Sequence, residues 1–403
     1  MKTPQNPIIV LENELKQNEK LKSHILSSLS QANEIAKKDL DVELYNALCW
    51  PTSIEHYLAY LRSFAKWKPQ QSSSSAWNKT DYDQNQEVYD RLCHFYWLID
   101  QKIDDNGSKL KVEVQNGEWF SKWLVDYANY WGYFLNTPES FNDEILESFI
   151  KNSPQYNVLD SMIVEGDQKR PNAPSGWLTF NQFFARELNP GLRPISIPNS
   201  NLTVTSPADC TFKASYPITN DSTIEEITLK KTHKYASIED LLEGSEFKDD
   251  FSNGTFVHYF LGPYDYHRFH TPVAGRVMEC YPVKGLTYLN VNISKKQFDA
   301  PDGSEDGYEF SQARGIIVID TAYSENGNIG KVAIIPVGMC QVSSVNMTAQ
   351  VESDLLKGDE FGYFLFGGSD IIMLFQNGID LQLDTLPVHH NYGTIVATAK
   401  AVD

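Results

Sequence analysis

Apolar residues recur at helical spacing through the first part of the chain. Leu11, Leu15, Ile25 and Leu29 fall near one face of a long polar segment; Val88, Leu92, Phe95 and Ile99 repeat the step, as do Phe141, Ile145 and Phe149. Ser140, with Asp143 three residues on, predicts the start of the last helix. The tract KPQQSSSSAWNKTD, Lys68 to Asp81, breaks the pattern and reads as a surface loop. His24, His56 and His94 stand singly in this region, as surface or packed residues do. The segment offers a fold and no chemistry.

Further on the period changes from three-and-four to two. Short runs rich in β-branched and aromatic residues alternate with turn signals: Thr255–Leu261, Arg276–Tyr281, Ile316–Asp320, Lys331–Val337 and Thr394–Ala399. Asn326-Gly327 between two of them is a hairpin cue. Asp299 to Glu309 is acidic but fails the calcium-loop spacing, and reads as a solvated loop. The pattern predicts an α+β chain. A helical N-terminal domain covers 1–155, a polar linker with prolines and glycines covers 156–176, and a mostly antiparallel, β-rich domain covers 177–403.

Composition narrows the function classes. A net charge of −19 argues against nucleic acid and against general attraction to anionic membrane surfaces. Five scattered cysteines without a CxxC pair read as reduced thiols, not a disulfide framework or zinc site. No run of about 18 apolar residues occurs, and the first residues lack a signal-peptide core. The expectation is a soluble, cytoplasmic protein with no transmembrane segment.

Three stretches of the second domain carry candidate chemistry. In KGDEFGYFLFGGSDIIMLF, two strand-like runs, Tyr363–Phe366 and Ile371–Phe375, flank a Gly-Gly-Ser-Asp corner. Gly367 and Gly368 lack Cβ and admit torsions closed to other residues. There the Ser369 hydroxyl can be pressed against the Gly368 carbonyl, which suits an N→O acyl shift that turns the amide into an ester. Elimination and hydrolysis would then leave Ser369 as a pyruvoyl group. GGS is also the composition of an ordinary turn, so the rest of the chain must supply the case. SPADC brings Asp209, and YHRFHTPVAG brings His267 and His270, which would face opposite ways on a strand. Asp, His and Ser are the parts of a nucleophile relay. A hydrolase using Ser369 uncut stays open, although the GxSxG elbow is absent.

TFNQFFAREL (Thr179–Leu188), NPGLRPI (Asn189–Ile195), SPADC, YHRFHTPVAG and KGDEFGYFLFGGS together, in this order, resemble the phosphatidylserine decarboxylase family. The resemblance covers roughly residues 175–403. It implies a pyruvoyl enzyme made as a proenzyme that cuts itself between Gly368 and Ser369, giving β and α chains of 368 and 35 residues. It further implies Asp209 as the relay aspartate, His270 as the histidine that activates Ser369, and His267 as the histidine that assists decarboxylation. A pyruvoyl ketone condenses with an α-amine to a Schiff base and takes up the electron pair left by CO₂, the part that pyridoxal phosphate plays elsewhere. Neither that cofactor nor a metal is implied.

Departures bear on the substrate. The membrane enzymes of the family typically have Leu-Gly-Ser-Thr where this chain has Gly367-Gly368-Ser369-Asp370, and glycine where Cys210 stands. The FGGS corner, with WGYFLNTPES (Trp131–Ser140) in a long helical N-terminal region, is similar to the fungal tryptophan decarboxylase branch. The expected substrate is a free, aromatic amino acid, with phosphatidylserine as the alternative. Asp370 is a candidate for substrate tuning, as an acid beside the reactive carbonyl, or else a turn residue facing solvent. A non-processing binding relative and a homo-oligomer both stay open.

Overall fold

The computed structural model describes residues 5–79, 84–105, 111–172, 176–228, 235–300, 307–340, 344–379 and 381–399. The chain is α+β and divides into two compact units. One gathers 1–159, 174–183 and 286–301; the other gathers 160–173, 184–285 and 302–403.

Among the described residues, the first unit is carried mainly by α1 (Pro7–Leu15), α2 (Glu19–Asp39), α3 (Val42–Ala47), α4 (Ile54–Phe64), α5 (Glu87–Trp97), α6 (Glu118–Leu135) and α7 (Asp143–Asn152). Polar side chains one residue ahead satisfy the free amides of several first turns: Asn6, Asn18, Ser53 and Asn142 each accept from one, and Asp41 from two. Asn142 therefore starts α7, not Ser140, whose hydroxyl donates to the carbonyls of Leu135 and Thr137. The apolar stripes meet in an aromatic core in which Phe64, Phe95, Tyr127 and Trp131 pack ring against ring. The tract expected as a surface loop is anchored in its described part, since Gln71 and Trp77 are buried and Arg91 lies over the Trp77 ring.

Residues 286–300 belong to this unit although the strands on either side of them belong to the other. The antiparallel pair Asn292–Ser294 and Gln297–Asp299 is tied in by Tyr96 to Thr287, Gln115 to the Leu289 carbonyl, and the Val291 amide to Asp100. Among the described residues, no helix is long and apolar enough to cross a membrane.

The second unit is built on an eight-stranded sheet. Its strands are β1 (Cys210–Pro217), β2 (Thr255–Leu261), β3 (Gly275–Val283), β4 (Arg314–Asp320), β5 (Lys331–Met339), β6 (Asp354–Leu355), β7 (Gly368–Phe375) and β8 (His389–His390). The spatial order is β6-β3-β4-β5-β7-β2-β1-β8, antiparallel at every step. Nearly every residue of β2, β4, β5 and β7 is buried. Such continuous apolar runs suit strands covered on both faces.

The unit also holds two three-stranded sheets: Arg268–His270 with Glu360–Phe364 and Val345–Met347, and Gln382–Leu383 with Ile395–Thr398 and Thr203–Thr205. The Asn326-Gly327 cue does join a hairpin, β4 to β5, but through a longer connection over 321–330 and not a two-residue turn. Of the loop expected to be solvated at Asp299 to Glu309, residues 301–306 lie outside the described residues, while Glu309 is fully buried. Within 156–176, Met162–Glu165 pairs with Gln168–Pro171.

Candidate active site

Ser369 is the second residue of β7. It pairs with Leu261 on one side and Gly338 on the other, and is fully buried. Gly367, just ahead of the strand, has φ 154°, a backbone region essentially reserved for glycine. The chain thus passes through a glycine-only bend straight into the centre of a sheet, with Ser369 held by ladders on both flanks.

The serine Oγ lies 3.3 Å from Nδ1 of His267. The other nitrogen of that ring, Nε2, lies 3.4 Å from the main-chain carbonyl of Pro263. A carbonyl can only accept, so Nε2 carries the proton and Nδ1 presents a lone pair to the serine hydroxyl. Phe184 stacks on the imidazole with centroids 3.9 Å apart, and Phe366 packs edge-on against Phe184. Burial first, and then the positive charge of Arg186, push the His267 pKa down to about 3, against the opposing pull of the Pro263 hydrogen bond. The ring is therefore neutral at ordinary pH, as an acceptor must be.

His270 stands in a different setting. Its Nδ1 lies 2.9 Å from the Gly358 carbonyl, so its Nε2 is the bare nitrogen, and this accepts from the Tyr266 hydroxyl at 3.2 Å. Tyr392 lies flat on the ring, 3.9 Å away with 2° between planes. Burial lowers the His270 pKa to about 4, opposed by the Gly358 hydrogen bond and by the Asp209 charge. Asp209 is gripped by Arg193, whose Nε and Nη2 both reach the carboxylate, the latter at 2.6 Å, and it accepts the Tyr392 amide at 2.8 Å. The structure therefore brings His267 to Ser369. It sets Asp209 and His270 in a neighbouring cluster with Tyr266, Tyr392 and Arg193.

Asp370 does not face solvent. It is fully buried, and as the next residue along a strand it turns to the sheet face opposite Ser369, where His258 Nε2 lies 3.5 Å from its carboxylate. His389 is partly exposed and bound to Asp265, whereas His390 is mostly covered and bound to Asp384. Among the described residues, no group of three or more His, Cys, Asp or Glu is arranged to hold a metal ion.

Several partners went unread in the sequence. Tyr266, Arg193 and Phe184 lie inside the quoted motifs, but nothing in their spacing told which atom each would meet. Lys357, buried, donates to the carbonyls of Ile197, Ser200 and Thr203, and so anchors the turn whose Gly358 carbonyl orients His270. His258 had a signal: it is an ionisable residue inside the apolar run TFVHYFL.

The family described as phosphatidylserine decarboxylase matches residues 180–393, which include every one of these groups. The chain is 30% identical over 250 residues to a phosphatidylserine decarboxylase proenzyme of Fusobacterium nucleatum, covering 62% of this chain and 73% of that one. It is 33% identical over 212 residues to phosphatidylserine decarboxylase proenzyme 2 of Oryza sativa, covering 52% of this chain and 31% of the relative, so it spans under a third of that protein's length. It is also 27% identical over 267 residues to decarboxylase iboD of Amanita muscaria, covering 61% of this chain and 73% of the relative. With the match extending over more than half of its residues, the chain belongs to the phosphatidylserine decarboxylase family.

Proposed function

We propose that the protein is a self-processing, pyruvoyl-dependent carboxy-lyase that removes the α-carboxylate of an amino-acid group. The observation that carries this is the buried Ser369 hydroxyl aimed at the bare Nδ1 of a neutral His267, two residues past the glycine-only bend at Gly367. His267 takes the serine proton as Oγ attacks the Gly368 carbonyl, and can return it to the departing amide nitrogen. The ester so formed loses its acyl part by elimination across Ser369, and hydrolysis of the remaining enamine releases ammonia. The pyruvoyl group, when formed, supplies an electron sink for the pair left behind by CO₂. The part the family resemblance gives to His267 in decarboxylation, donating a proton to the reacting carbon, requires Nδ1 to gain a proton first, which the substrate's ammonium group can supply. Asp209 and His270 carry over from the family as relay residues; here Arg193 binds Asp209 and the Tyr266 hydroxyl meets His270.

The fold keeps the pieces together after a cut between Gly368 and Ser369. The new chain contains β7, at the centre of the sheet between β5 and β2, then β8 on β1, and Ile395–Thr398 on Thr203–Thr205. Those ladders hold the two chains without a covalent link.

For the substrate, the Gly-Gly-Ser corner favours a free, aromatic amino acid such as tryptophan. The names of the Fusobacterium and Oryza relatives favour phosphatidylserine. CO₂ release from a panel of free amino acids beside phosphatidylserine vesicles separates them. Release from vesicles and from no free amino acid would overturn the first reading, and release from neither would overturn the carboxy-lyase reading.

A further inference from the structure

Asp370 and His258 are ionisable, fully buried, and take no part in the steps above. Their place follows from register. His258 pairs with Ile372, and Asp370 pairs with Phe260 on β2 and Val337 on β5. Residues paired across antiparallel strands share a face, so Asp370 and His258 lie on the face that carries Phe256, Ile335, Val337, Ile372 and Leu374, the apolar core of the unit. There the Asp370 carboxylate comes within 3.5 Å of His258 Nε2, and Tyr308 stands edge-on to the imidazole. A carboxylate in such surroundings is costly unless it is paired.

We propose that Asp370 and His258 form a clamp that fixes the position of the reactive residue in the sheet, acting as positioning residues for cleavage and for the pyruvoyl enzyme that results. The proposal rests on Ser369 being the residue converted. Conversion removes the bond to Gly368 and the Ser369 amide N–H, so Asp370 becomes the first residue of β7 with a complete peptide donor. New chain ends fray unless tied down. The clamp ties this one diagonally to β2, from the face opposite the chemistry, where it obstructs neither substrate nor His267. It also gives the acid directly after the serine a nearby ionisable neighbour, His258 on the adjacent strand.

The test compares wild type with Asp370→Asn, His258→Gln and the double variant. Self-cleavage is followed by denaturing gel, and kcat and KM are measured for CO₂ release from L-tryptophan and from phosphatidylserine vesicles. Each single variant is expected to slow cleavage and lower kcat by about tenfold or more, with KM little changed and the double variant no slower than the slower single one. The double variant leaves no charge buried alone, which keeps the test open if a single variant does not fold. Wild-type cleavage and kcat in the double variant, or effects of the two substitutions that multiply, would overturn the clamp. Wild type that stays in one piece would overturn the underlying reading of Ser369 instead.

Discussion

His267 and His270 stand three residues apart, and each gives one ring nitrogen to a main-chain carbonyl, Pro263 for the first and Gly358 for the second. Each is thereby left with a single lone pair. In His267 that lone pair is on Nδ1 and meets the Ser369 hydroxyl; in His270 it is on Nε2 and meets the Tyr266 hydroxyl. Burial keeps both rings neutral. Residue type, spacing and protonation are thus shared, and what separates the two roles is which nitrogen the backbone leaves bare and what stands in front of it.

The largest effect that can break this comparison comes from removing one lone pair at a time. His267→Gln is expected to slow self-cleavage by about 10²- to 10⁴-fold, the usual worth of a positioned base, with His270→Gln well behind it on the same gel time course. The reverse order would return the activating role to His270, as the family resemblance implies. Next comes the cluster that holds His270. Arg193→Gln leaves the buried Asp209 carboxylate without its guanidinium, and is expected to cost about 3 kcal/mol of unfolding free energy in a urea titration. A cost near zero would mean that Asp209 is not dependent on Arg193.

The pH dependence comes third. With the His267 pKa at about 3, cleavage should be flat from pH 8 down to 5 and show no inflection near 6.5. Both histidines have folded pKa values below their unfolded value, so the unfolded chain binds more protons between about pH 3 and 6.5. Stability therefore rises with pH through that window and is lost as pH falls through it. Melting temperatures of Ser369→Ala protein across pH 4–8 check the sign. The smallest effect is Tyr266→Phe, which removes one hydrogen bond from His270 and should cost about 1 kcal/mol in the same titration.

The strands were legible because β2, β4 and β5 are continuous apolar runs bounded by turn residues, while the candidate site residues were nominated by motifs that match a family in order. Three things lay beyond the sequence. The Gly-Gly-Ser corner reads as a turn, yet pairing on both sides carries the strand back to Gly368 and puts Ser369 inside the ladder. Asp370 reads either as an acid tuning the substrate or as a turn residue facing solvent, and neither reading points to His258, 112 residues away on another strand. The choice between two histidines depends on carbonyls of Pro263 and Gly358, which every residue has and no pattern marks.

The central claim is that Ser369 cuts the chain ahead of itself, and intact mass with a denaturing gel tests it on wild type beside Ser369→Ala. The expected result is two wild-type chains divided between Gly368 and Ser369, the smaller lacking a free amino terminus, and a single uncut chain in the variant. One uncut chain in both would contradict the account and leave Ser369 to be tested as an ordinary nucleophile.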